Sequence, residues 1–150
     1  MAGPLFCALL AVALGCAMAV QGVVNAGLGR ALGSSVLAAA VSFWVGALAL
    51  AGVSLAAGGV GPALASARAL GPGWWIGGGL LGAFIVASIA FVVPRLGVGP
   101  AMAFAIAAQL ITAVALDHFG LLGTEQHPLG AARAAGVVLL VAGALLIQFF

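Results

Sequence analysis

Lysine is absent from the 150 residues, acidic side chains number two, and charged residues of every kind make up only 4% of the chain. A water-facing domain carries roughly 25% charged residues because its surface must be solvated, so this composition excludes a soluble globular fold. The four cations are Arg30, Arg68, Arg95 and Arg133, spread singly along the sequence. They form neither the basic face that nucleic-acid binding needs nor the polybasic cluster that holds a protein on anionic lipid, and no nucleic-acid partner is expected.

Cysteine is scarce too. Cys7 and Cys16 are nine residues apart in one apolar run, which places them on opposite sides of a helix, where they cannot pair with each other and read as small hydrophobes. Missing as well are a Ser/His/Asp order, an HExxH pattern and a phosphate-binding glycine loop in a workable context, so the residues point away from an enzyme and imply no cofactor. No Lys or Arg precedes the first apolar run, and that run continues past Ala17-Met18-Ala19, the stretch most like a signal-peptidase site. The first segment is therefore expected to be a retained helix, not a cleaved leader.

What the chain has in abundance is hydrophobic residues, 66% of the total. They fall into five blocks, at about 5–28, 34–57, 73–93, 98–116 and 131–149, and each is long enough for the roughly 20 helical residues that cross a bilayer. The apolar/polar alternation of a barrel strand is absent, leaving helices to satisfy the backbone within the membrane. The expected fold is an all-α membrane protein, a single domain over residues 1–150 built as a bundle of five transmembrane helices.

All six charged residues lie at the ends of the blocks or between them. The first link, Gly29-Arg30-Ala31-Leu32-Gly33-Ser34, has glycine on both sides and a serine placed to cap the next helix. In the third, Pro94-Arg95-Leu96-Gly97, the proline is expected to stop the helix. Short links make neighbouring helices antiparallel. Gly15, Gly22 and Gly29 recur at seven, as do Gly136 and Gly143, and Gly78 and Gly82 form a GxxxG pair; these are candidate seams for close helix packing in lipid. Under the positive-inside rule Arg68 and Arg133 face the cytoplasm in one orientation and Arg30 and Arg95 in the other. The balance leaves either orientation, or insertion in both, open.

Polar side chains within hydrocarbon are costly unless partnered, so the few present are informative. Gln21 and Asn25 share one face of the first helix. Ser42 stands beside Phe43 and Trp44 in the second, Ser88 lies in the third, and Gln109 is near the middle of the fourth. The amides either converge on a substrate cavity or bond one another as packing glue. Ser42 and Ser88 are expected to bond within their own helices. The only polar stretch, about 117–130, holds Asp117, His118, Glu125 and His127. Adjacent helical residues diverge, so this set reads as a solvated loop and no metal is expected.

Gln21-Gly-Val-Val-Asn25-Ala-Gly-Leu-Gly-Arg30, then Val41-Ser-Phe-Trp-Val-Gly46, then Val93-Pro-Arg-Leu-Gly97, and then Gln109-Leu followed by Asp117-His-Phe-Gly120-Leu, resemble in order the YdcZ-type inner-membrane exporters of the drug/metabolite transporter superfamily. The resemblance implies one half of a ten-helix transporter, completed as a homodimer or as a heterodimer with a paralogue. It further implies a small-molecule substrate and a multi-pass protein of the bacterial inner membrane. Small multidrug exporters, four-helix relatives, couple to protons through a glutamate in the first helix. This chain has no carboxylate there, and Gln21 and Asn25 do not titrate. The candidate substrate-binding residues are Gln21, Asn25, Ser42, Trp44 and Gln109, with Asp117 and His118 as candidate coupling groups. The alternative is a non-transporting subunit or scaffold of a larger membrane assembly, which the scarcity of intramembrane ionisable groups favours.

Overall fold

The computed structural model describes residues 3–58, 61 and 71–150; Arg68 and most of the second connection lie outside the described residues. Five helices follow one another: α1 (Pro4–Leu32), α2 (Ser35–Ala56), α3 (Pro72–Leu96), α4 (Val98–Phe119) and α5 (Ala131–Phe149), with a short 3-10 turn at Leu121–Gly123. Each is long and apolar enough to cross a membrane, and there is no strand among the described residues. The chain is an all-α, multi-pass membrane protein. Its helices divide into two compact units, Met1–Arg95 and Leu96–Phe150.

In the first unit α1 runs four residues beyond the expected 28, through Gly29, and reverses only at Gly33 and Ser34. Gly33 takes the left-handed conformation, φ 66° and ψ 12°, which costs a residue without Cβ little. The Ser34 N–H then reaches back to the Gly29 carbonyl at 3.0 Å, the long-range bond of a Schellman motif. Ser34 caps α2 as expected, its Oγ accepting from the Leu37 N–H at 3.2 Å. The two helices pack antiparallel, for Gly29 lies against Ser35 and Ala38 while Asn25 is bonded to Ser42 farther along.

Helix α3 does not stop before Pro94. It continues to Leu96 with the proline inside it, and the chain turns at Gly97, φ 88°. Proline lacks an N–H and so forfeits one helical bond, but in a last turn few bonds remain to be lost. Just upstream, the Arg95 guanidinium donates to the Phe91 carbonyl.

In the second unit α4 extends past the expected 116 to Phe119 and ends at Gly120, φ 62°. Gly99 near its start lies against Ile147 near the end of α5, whereas His118 at its end shares a cavity with Ala134 near the start of α5. These helices are therefore antiparallel as well.

Buried positions are almost all small: Ala26, Ala38, Ala39 and Ala90 in one unit, Ala101, Ala107 and Ala144 in the other. Large apolar side chains point outward, Leu50 at 68% and Leu139 at 72% exposure. That is the pattern of a protein whose solvent is lipid, where close backbone approach holds helices together and bulky residues meet acyl chains. The expected glycine seam is formed over its second half only. Gly22 and Gly29 are buried, and Gly82 meets the Phe43 ring, but Gly15, Gly78, Gly136 and Gly143 have open space where a side chain would be.

Candidate functional site

Three of the residues singled out in the sequence meet between α1 and α2. Asn25 is buried at 2% exposure, and its Oδ1 accepts a hydrogen bond from the Ser42 hydroxyl. The serine was expected to bond within its own helix. It bonds across instead, because the carbonyl of Asn25 stands opposite it and a buried acceptor left unpaired is costly. Gln21 lies one turn from Asn25 on the same face. It is exposed and borders two open grooves. One, of ≈ 640 Å³, runs along α1 and α2 past Cys16, Asn25, Ser42 and Gly46. The other, of ≈ 310 Å³, passes Ser42, Phe43, Gly46 and Val86 of α3. Both are predominantly apolar, and the amides and the serine are their polar points. Gln21 is eleven residues, about 16 Å along the axis, from Leu32 at the end of α1.

Trp44 does not join this cluster. It is 72% exposed and borders neither groove. The helical step explains it: Ser42 turns to α1, Phe43 reaches Gly82 of α3, and Trp44, about 200° round from Ser42, faces outward. In the second unit Gln109 is exposed on α4. Thr112, one turn on, is satisfied by the Ala108 carbonyl at 2.8 Å.

The polar stretch after α4 is exposed, as a solvated loop would be, and it also caps the helix. A helix ends with carbonyls that lack partners, and here the following residues supply them. The single Thr124 hydroxyl hydrogen is shared between the Leu121 carbonyl at 2.9 Å and the Leu116 carbonyl at 3.1 Å, while the His127 N–H is given to the Asp117 carbonyl at 2.8 Å and the Gln126 side chain donates to that of His118 at 3.1 Å. His118 is itself engaged, for its Nδ1 accepts the Leu129 N–H at 3.0 Å, so the neutral ring carries its hydrogen on Nε2. The ring also borders an apolar cavity of ≈ 430 Å³ with Ile111, Val114, Leu129 and Val138. Asp117 and His118 are both half-buried. Among the described residues no three His, Cys, Asp or Glu side chains gather closely enough to hold a metal ion.

One polar residue escaped the sequence reading. Gln148 stands near the end of α5, and its Oε1 is buried without a hydrogen-bond partner among the described residues. The signal was available, since an amide in the last turn of an apolar helix is as conspicuous as Gln109.

Five apolar helices with small residues inside, large ones outside and a few amides set between them define a multi-pass helical membrane protein. The chain belongs to the family described as "Putative inner membrane exporter, YdcZ", which it matches over residues 6–146. That span takes in all the motifs on which the resemblance rests, and it places the protein in the inner membrane. No curated protein and no solved structure matches the chain.

Proposed function

We propose that the protein exports a small molecule, working as an antiparallel or paralogue-paired dimer around a polar pocket at mid-membrane depth. The observation that carries the reading is the Asn25–Ser42 bond with Gln21 beside it, set in grooves otherwise apolar. Ser42 occupies the Asn25 carbonyl, which leaves the Gln21 amide to hydrogen-bond a solute. Trp44 and Gln109, both exposed, stand outside these grooves and are open to a solute or to a second copy of the chain. The chain carries no catalytic role in this reading.

Helix α1 carries no carboxylate and no histidine, so transport is either passive or coupled at the membrane surface through Asp117 and His118, and neutral or zwitterionic solutes are preferred to strongly cationic ones. The test is flux into proteoliposomes of purified protein under an imposed pH gradient, with a panel of neutral, zwitterionic and cationic solutes. The expected result is uptake of a neutral or zwitterionic solute that Gln21→Leu reduces at least tenfold, about 1.4 kcal/mol of transition-state binding. Uphill proton-driven export that persists in the Asp117→Asn, His118→Gln double variant overturns the coupling assignment. Absence of protein-dependent flux for every solute favours the second reading, a membrane subunit or scaffold.

A further inference from the structure

Two arginines from different helices border one cavity at the end of the first unit where α1 gives way to α2. Arg30 is in the last turn of α1 and Arg95 in the last turn of α3. The cavity, of ≈ 560 Å³, is completed by Ser34, Ser35, Phe91 and Pro94. Part of their placement is explained by the helix ends, since a cation is favoured near C-terminal carbonyls. That accounts for one arginine per helix and not for a shared concavity.

The charge in this cavity has no counterpart in its own unit. The chain's two carboxylates, Asp117 and Glu125, both belong to Leu96–Phe150, so Met1–Arg95 contains two described guanidinium groups and no acid. The Arg95 guanidinium is held in place, its carbon 3.4 Å from the centre of the Phe91 ring and one N–H given to the Phe91 carbonyl. A guanidinium has five N–H donors, so most of those on Arg95 remain, and Arg30 has no side-chain acceptor among the described residues. Ser34 adds a further donor: its Oγ accepts from Leu37, which leaves the hydroxyl hydrogen to give. The Ser35 N–H, at the start of α2, has no intrahelical acceptor.

We propose that this cavity binds a phosphate-type oxyanion at the membrane surface. Planar guanidinium donors match phosphate oxygens in geometry, and a paired set with neighbouring hydroxyl and amide donors is the usual chemistry of such a site. The phosphate belongs either to an anionic lipid headgroup or to a soluble ion, and the two sources are separable.

The test uses the full chain in nanodiscs, with thermal unfolding followed by tryptophan fluorescence; Trp44, Trp74 and Trp75 all lie in the first unit. Phosphatidylcholine discs are compared with discs containing phosphatidylglycerol and with phosphatidylcholine discs given inorganic phosphate. The expected result is a rise in Tm of about 3 °C or more in at least one arm, as for any ligand that binds the folded state alone. The rise is lost in Arg30→Gln, Arg95→Gln and kept in Arg133→Gln. A rise with phosphatidylglycerol alone assigns a lipid headgroup, a rise with phosphate alone a soluble anion, and a rise with both an oxyanion site that accepts either. Should the double glutamine variant fail to fold, Arg30→Lys, Arg95→Lys replaces it, with a rise at least halved because the forked donors are gone. No rise in either arm for the natural chain, or a full rise in the charge-removed or lysine variants, overturns the proposal.

Discussion

Removing the Ser42 hydroxyl strands the Asn25 carbonyl at a position only 2% exposed. Ser42→Ala is therefore expected to destabilise the protein by about 1 kcal/mol, the usual scale for a side-chain bond between membrane helices. Adding Asn25→Leu removes the stranded group, and the double variant is expected to lose less than the two single losses added together. Unfolding in mixed micelles measures all four corners of that cycle; strict additivity would mean that the bond contributes nothing. Gln109→Leu is a contrasting case. The amide is exposed on α4 and has no packing role there, so transport is expected to fall while expression and unfolding midpoint stay within error. Parallel loss of folding would make Gln109 structural glue. At this scale the sequence identified Gln21, Asn25, Ser42 and Gln109 as polar residues of the apolar helices but passed over Gln148 and did not show the Asn25–Ser42 pairing. A one-helix reading cannot tell that Ser42 faces a neighbour and Trp44 faces outward, because that depends on which side of α2 receives α1.

Helix existence was legible from apolar block length, and Ser34 as the α2 cap from its place after glycine. Helix ends were less so. Gly29 reads in the sequence both as punctuation of the first link and as part of the glycine seam, and the sequence alone does not show that it is the packing surface and Gly33 the turn. The same ambiguity hid the passage of α3 through Pro94. Gly29 makes the difference testable. A Cβ there would stand 3.5 Å from the Ser35 Cα and 3.8 Å from the Ala38 Cβ, ordinary contact distances, so Gly29→Ala is expected to change stability by less than about 1 kcal/mol. Gly29→Leu has no room for its branches and is expected to push α1 from α2, destabilising by about 2 kcal/mol or more through overpacking. The comparison is read from unfolding midpoints of the two variants. Equal effects would mean that α1 and α2 do not approach closely at this turn.

For the molecule as a whole, orientation turns on few charges. Arg30 and Arg95 share one end of the first unit, and the chain has only four arginines in all. Two lysines added to the link at Gly33 and Ser34 are expected to drive that end to the cytoplasm, because positive charge in short loops sets insertion. Reporter fusions at Phe150, with and without the lysines, measure it. A single location in the natural chain that the added charges leave unchanged rules out dual insertion.

The partition of acids between the units reaches beyond anion binding. His118, His127, Asp117 and Glu125 all lie in Leu96–Phe150, and Met1–Arg95 has no histidine, carboxylate, lysine or tyrosine. Its ionisable side chains among the described residues are Arg30, Arg95 and the two thiols, Cys7 and Cys16. In the second unit, a proton on His118 Nδ1 would take from Leu129 the lone pair that now receives its N–H.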